Sequence, residues 1–262
     1  MLTPPVYANP SLGELSVSEA QRQVESFYNV TLIESLSLEE LGWVELQRSD
    51  RGSVKVIEGE FTAGRFEGYT RRSELIEVPL SMRAVAIIPE RPRDRGIVLA
   101  LHEEINLERK WSRYGEELVK LSRETGIPIL MYSQERESIE PFSLDRGALT
   151  MVTFYALAFL NRGHTDVVTA NFILALARTQ SYAITVLQRL VESLGGRVER
   201  VAFMGGSKEG YAQWIASTVD DRIEVSSPGG FKMENFTAAI DEGVSQWGCH
   251  NPYLERRKRG WS

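Results

Sequence analysis

The residues best suited to chemistry lie in the run Val201-Ala202-Phe203-Met204-Gly205-Gly206-Ser207-Lys208-Glu209-Gly210-Tyr211. An apolar stretch, two glycines, a serine and then helix-forming sequence predict a strand that turns sharply into a helix. A serine on such a turn has its hydroxyl raised above the carboxyl edge of a sheet, and the helix N-terminus beneath it favours negative charge. That suits nucleophilic attack on a carbonyl carbon. The turn is strained, so small residues flank it. Gly205 stands two before the serine; the usual second glycine, two after it, is replaced by Glu209, with Gly210 one step later. Two other readings fit the same residues. One is a plain tight turn with Ser207 as helix N-cap. The other is a phosphate-binding turn, although both the G-x-G-x-x-G and the Walker patterns are absent.

The elements that would hold this turn follow from hydrophobic patterning. Residues 1–42 read as a polar lead-in, with helical pieces at Ser16–Tyr28 and Ser37–Leu41. Strand signals begin at Trp43, resume after the Asp50-Arg51-Gly52 turn and return over Leu75–Ile88, which suggests antiparallel strands leading into a sheet. Strand–helix alternation then takes over: strand Gly96–Leu101, helix Trp111–Glu124 stopped by Gly126, and strand Ile127–Tyr132. Helical periodicity follows over about 149–160 and Asp166–Leu194, then strand Val201–Met204, helix Lys208–Val219 and strand Ile223–Ser227. Such alternation predicts an α/β fold of the α/β-hydrolase kind, with a mostly parallel sheet and helices on both faces. The domain is expected over residues 43–262, without its last strands.

In that fold Ser207 is the nucleophile, and the backbone N–H of Lys208 supplies one oxyanion donor. The second donor is expected from the loop after Gly96–Leu101, at His102 or the backbone of Glu103. Glu103 and Glu104 are awkward there, because carboxylates oppose the charge that must be stabilised. A solvated loop with His102 bonded to backbone is the other reading. The chain order in this fold is serine, acid, histidine. Of His102, His164 and His250, only His250 follows the serine, and it arrives before the two further strands that should precede it. His250 therefore reads as a loop residue, and Asp241 and Glu242 as the solvated face of a helix over about 236–247. Cys249 reads as a bystander thiol. The acid and the base are expected beyond Ser262, from a C-terminal truncation rather than from degeneration.

The segment Gly205-Gly206-Ser207-Lys208-Glu209-Gly210-Tyr211 resembles the G-x-S-K-R-G-W elbow of the PhoPQ-activated pathogenicity-related proteins, an α/β-hydrolase-like group. The similarity continues through Trp214, Ile215 and Ala216, through Val219-Asp220-Asp221-Arg222, where the family carries D-x-R, and to Pro228. It covers about residues 73–250. The resemblance implies the fold and a serine nucleophile more firmly than a reaction. Glu209 stands in place of the family's arginine and Tyr211 in place of its tryptophan, so a shared substrate preference does not follow.

Composition narrows the partners. With 42% hydrophobic and 25% charged residues the chain suits a globular protein. A net charge of −6 argues against nucleic-acid or anionic-membrane partners. The basic cluster Arg256-Arg257-Lys258-Arg259 reads as a solvated tail. One cysteine excludes an internal disulfide and a cysteine-based zinc site, and nothing points to a cofactor or metal. No apolar run approaches the ~20 residues of a membrane span. Residues 1–10 do not form an intact signal peptide, which leaves cytoplasmic and exported locations both open. The residues thus point to an esterase-like hydrolase of a small ester or amide. The competing readings are a hydrolase scaffold kept for binding or signalling and, more weakly, a nucleotide-binding domain.

Overall fold

The computed structural model describes residues 29–70, 75–101, 107–134, 167–170, 172–206 and 208–229. In chain order they form α1 (Val30–Ser35), β1 (Val44–Asp50), β2 (Val54–Thr70), β3 (Leu75–Pro89), β4 (Arg95–Ala100), α2 (Leu107–Thr125), β5 (Ile129–Gln134), β6 (Val167–Ala170), α3 (Phe172–Ser193), β7 (Arg200–Gly206), α4 (Lys208–Val219) and β8 (Ile223–Gly229). The strands make one sheet in the order β1-β2-β3-β5-β4-β7-β8, with β6 paired to β2.

The sheet is mixed, not mostly parallel as strand–helix alternation suggested. β1–β2, β2–β3, β2–β6 and β3–β5 are antiparallel, whereas β5–β4, β4–β7 and β7–β8 are parallel. The connections decide this. Residues 51–53, with Gly52 at φ 67°, make a tight reversal that only antiparallel neighbours can share. In the second half, helices link the parallel strands: α2 between β4 and β5, α4 between β7 and β8. A second correction concerns Asp166–Leu194. The β-branched run Val167-Val168-Thr169 forms β6 against the end of β2, and the helix starts only at Phe172.

Helices cover both faces. On one, Leu107 and Val119 of α2 pack with Val54, Val56, Val85, Ile87, Ile129 and Met131. On the other, α3 and α4 bring Leu176, Ile184, Leu187, Leu190, Ala212 and Ala216 against Ile57, Ala86, Leu130 and Phe203. Tyr132 stands edge-on between Phe61 and Phe203, with ring centroids 6.1 and 6.4 Å away. The predicted stops hold: Gly126 and Gly195 have φ of 70° and 81° and end α2 and α3. Ser37 and Glu40 form a reciprocal capping box, the Ser37 N–H donating to Glu40 Oε2 at 2.8 Å and the Glu40 N–H to Ser37 Oγ at 3.2 Å. The next residue, Leu41, is buried in the α3-side core together with Ile33 of α1.

Two features place the candidate site. β4 lies between β5 and β7, and the helices that follow β4 and precede β7 pack on opposite faces. Strand order therefore reverses beside β4, and in α/β sheets the ligand crevice belongs at such a point, outside the carboxyl ends of the flanking strands, here β4 and β7. Beyond the carboxyl end of β5, whose Gln134 pairs with Met82, β2 and β3 continue as a paired arm from Arg65–Pro79 to Tyr69–Leu75. β6 adds a third strand to that arm.

Candidate active site

β7 carries the chain to the point where strand order reverses. Its register sets Gly205 level with Ala100 of β4 on one side and Pro228 of β8 on the other. The chain then enters α4 within two residues of Gly206. Such a reversal brings the first turn of the helix back onto the end of its own strand, so only small residues fit between them. A Cβ on Gly205 would lie 3.0 Å from Cβ of Glu209 and 3.1 Å from its carbonyl carbon. One on Gly210 would lie 3.0 Å from the Gly229 oxygen and 3.1 Å from the Gly205 oxygen. A Cβ on Gly206 would meet the Gly229 oxygen at an ordinary 3.9 Å. The role expected of a glycine two after the serine is filled by Gly210, three after it.

Glu209 does not face a ligand. It is 6% exposed, in the first turn of α4, where a carboxylate is favoured by the helix dipole. Gln180 of α3, itself fully buried, donates through Nε2 to the Glu209 backbone oxygen at 2.9 Å and to its Oε2 at 3.2 Å. On the sheet side, buried Gln213 donates to the Phe203 oxygen at 2.6 Å and to Ser226 Oγ at 2.8 Å, tying α4 to β7 and β8. Sequence reasoning passed over both glutamines; the available signal was a polar side chain within each helix's apolar surroundings.

Ser207 lies outside the described residues, between Gly206 and Lys208. Lys208 is the first residue of α4. His102 and Glu103, with Glu104, also lie outside them, as do His164, His250, Cys249, Asp241 and Glu242. What is placed is the frame: β4 and β7 are paired up to Ala100–Gly205, so the chain leaves both strands at the same edge of the sheet. Among the described residues no group of His, Cys, Asp and Glu could hold a metal ion, and no helix is long and apolar enough to cross a membrane.

A cleft of about 590 Å³ lies at the opposite, amino edge, where Arg200 opens β7 and Arg222 precedes β8; Glu34, Arg189, Glu192 and Arg197 also line it. Its cations are already engaged. Arg189 bonds the oxygens of Leu36 and Glu34 and pairs with Glu192; Arg197 pairs with Glu199; Arg200 bonds the Asp221 oxygen. Arg222 grips Asp220 through Nε at 2.8 Å and Nη2 at 2.7 Å, and donates to Thr185, Gln188 and the Ser181 oxygen. The D-x-R feature is thus a buried clamp between α3 and the start of β8. Burial alone would raise the Asp220 carboxyl, but the Arg222 guanidinium and the Ser181 hydroxyl at 2.6 Å outweigh it and hold it below its ordinary value.

The described residues thus define an α/β protein with a mixed sheet, helices on both faces and a glycine-lined strand-to-helix turn at the point where strand order reverses. Residues 149–257 match the family described as PhoPQ-activated pathogenicity-related protein, which bears out the resemblance read around Ser207. No curated protein matches the chain. Among solved structures, a cold-adapted esterase from an Arctic intertidal metagenomic library is 16% identical, with 78% of this chain and 71% of that one covered and a TM-score of 0.41. An acetyl xylan esterase from Paenibacillus sp. R4 is 14% identical over 93% of this chain and 72% of that one, at 0.44. A glucuronoyl esterase from Solibacter usitatus is 12% identical over 78% of this chain and 55% of that one, at 0.42.

Proposed function

We propose that the chain carries the nucleophile of an α/β-hydrolase-type active site and acts on a small ester or amide through an acyl-enzyme on Ser207. The observation that carries this reading is the packing of Gly205 and Gly210 around the β7–α4 turn. A plain helix start does not need glycine at both positions, whereas a strand that must double back to present a side chain above the sheet does. Inward-facing Glu209 also removes one of the carboxylates that would have opposed an oxyanion.

In the proposed reaction Ser207 Oγ attacks the carbonyl carbon and passes its proton to a base. The Lys208 N–H, at the start of α4, and a donor from the 102–106 loop stabilise the oxyanion. The alcohol or amine departs with a proton, and water then releases the acid from Ser207. The base and acid come from outside the described residues. The experiment is turnover of p-nitrophenyl acetate by the full-length product and by its Ser207→Ala variant. Loss of turnover in the variant is expected; equal turnover in both contradicts the reading.

A further inference from the structure

The turn between Gly205 and Glu209 is closed at both ends. A Cβ on Gly205, at the end of β7, would come within 3.0–3.2 Å of the Cβ, carbonyl carbon and oxygen of Glu209, so only glycine fits against that residue. From the opposite side Gln180 of α3 reaches the same residue twice, at the backbone oxygen (2.9 Å) and at the carboxylate (3.2 Å). Gln180 is fully buried, and its Oε1 has no partner among the described residues. Among the described residues, both hydrogen bonds of its amide go to position 209. A residue chosen only to fill the α3–α4 interface would be apolar, because burying an amide with one unpartnered oxygen is costly.

We infer that Gln180 is a positioning residue for the start of α4: by holding Glu209 through two hydrogen bonds, it fixes the first helical turn, which follows Ser207 in the chain. Its catalytic meaning rests on the Ser207 reading above; its structural meaning does not. Gln180→Leu keeps the bulk and removes both bonds. Glu209→Gln keeps both oxygens that Gln180 binds.

The test has two readouts on the full chain. Amide hydrogen exchange at Ala212 and Gln213 reports the first turn of α4, since these N–H groups bond back to residues 208 and 209. Gln180→Leu is expected to speed their exchange at least tenfold while Val98 and Leu130 in the central strands keep the wild-type rate, and Glu209→Gln is expected to keep slow exchange throughout. Unchanged exchange in Gln180→Leu, an equal rise at Val98 and Leu130, or loss of protection in Glu209→Gln overturns the inference. The second readout is fluorophosphonate labelling. If the wild type labels at Ser207, Gln180→Leu should lower the maximal labelling rate tenfold or more with half-saturation within threefold; a wild-type rate overturns the positioning role. If the wild type does not label, the Ser207 reading fails and the exchange result alone decides the inference.

Discussion

The two edges of the sheet make opposite use of polar groups. The amino edge has the open cleft and a dense set of charges, yet its arginines are already bonded to carboxylates and carbonyls of the fold. The carboxyl edge shows glycines packed against backbone and two buried glutamines. Charge density and cavity size here mark where the fold is fastened, whereas close backbone approach marks the β7–α4 reversal, the place proposed for the reacting group.

Breaking the amino-edge clamp should have the largest effect on stability. Arg222→Met leaves Asp220, 1% exposed, without its cation, and should cost about 3–5 kcal/mol by chemical denaturation. The pH profile sharpens this. In the wild type the Asp220 carboxyl is held below its unfolded value, so its contribution is complete above about pH 3.9 and lost as pH falls through the lower folded value. Without Arg222, burial raises that carboxyl above the unfolded value. The sign then inverts, and the variant should lose stability as pH rises from 4 to 7. A parallel acid limb in both proteins would show that the pair does not govern Asp220.

Next in size is a pair of substitutions on the serine turn. Gly210→Ala forces a methyl to about 3.0 Å from two backbone oxygens, which cannot move as side chains do, and should cost about 1–3 kcal/mol. Gly206→Ala places its methyl at an ordinary 3.9 Å from the Gly229 oxygen and should change stability by about 0.5 kcal/mol or less. Equal costs for the two in thermal unfolding would mean that the turn is not packed as described. The smallest effect is expected at the cleft surface. Arg197 is well exposed and pairs with Glu199 at 3.2 Å, so Arg197→Ala should shift stability by about 0.5 kcal/mol and leave ester turnover unchanged. Loss of turnover in that variant would reverse the assignment of the two edges.

Much of the frame was legible because it rests on local signals. Gly126 and Gly195 end helices where the sequence placed stops, and the apolar runs at 96–101 and 201–204 became the adjacent strands β4 and β7. The antiparallel strands before residue 90 were legible from their strand signals, but the mixed character of the whole sheet, with β3 antiparallel to β5, was not, since strand direction depends on which strands meet. β6 was hidden because four residues within a helix-like stretch gain their identity from pairing with Gly68–Thr70 of β2. Glu209 looked like a charge beside Ser207 because sequence cannot tell which way the first turn of α4 faces; its burial and its bonds from Gln180 show that it points inward. The D-x-R feature was seen as a resemblance, and its physical content, a clamp from Ser181 and Thr185 to the start of β8, needed the packing of α3.

The proposed nucleophile, Ser207, can be checked most directly by treating the protein with a fluorophosphonate and mapping the adduct by mass spectrometry. One adduct is expected, on Ser207, absent from Ser207→Ala. An unmodified Ser207 peptide, or the same labelling in the variant, would contradict the proposal.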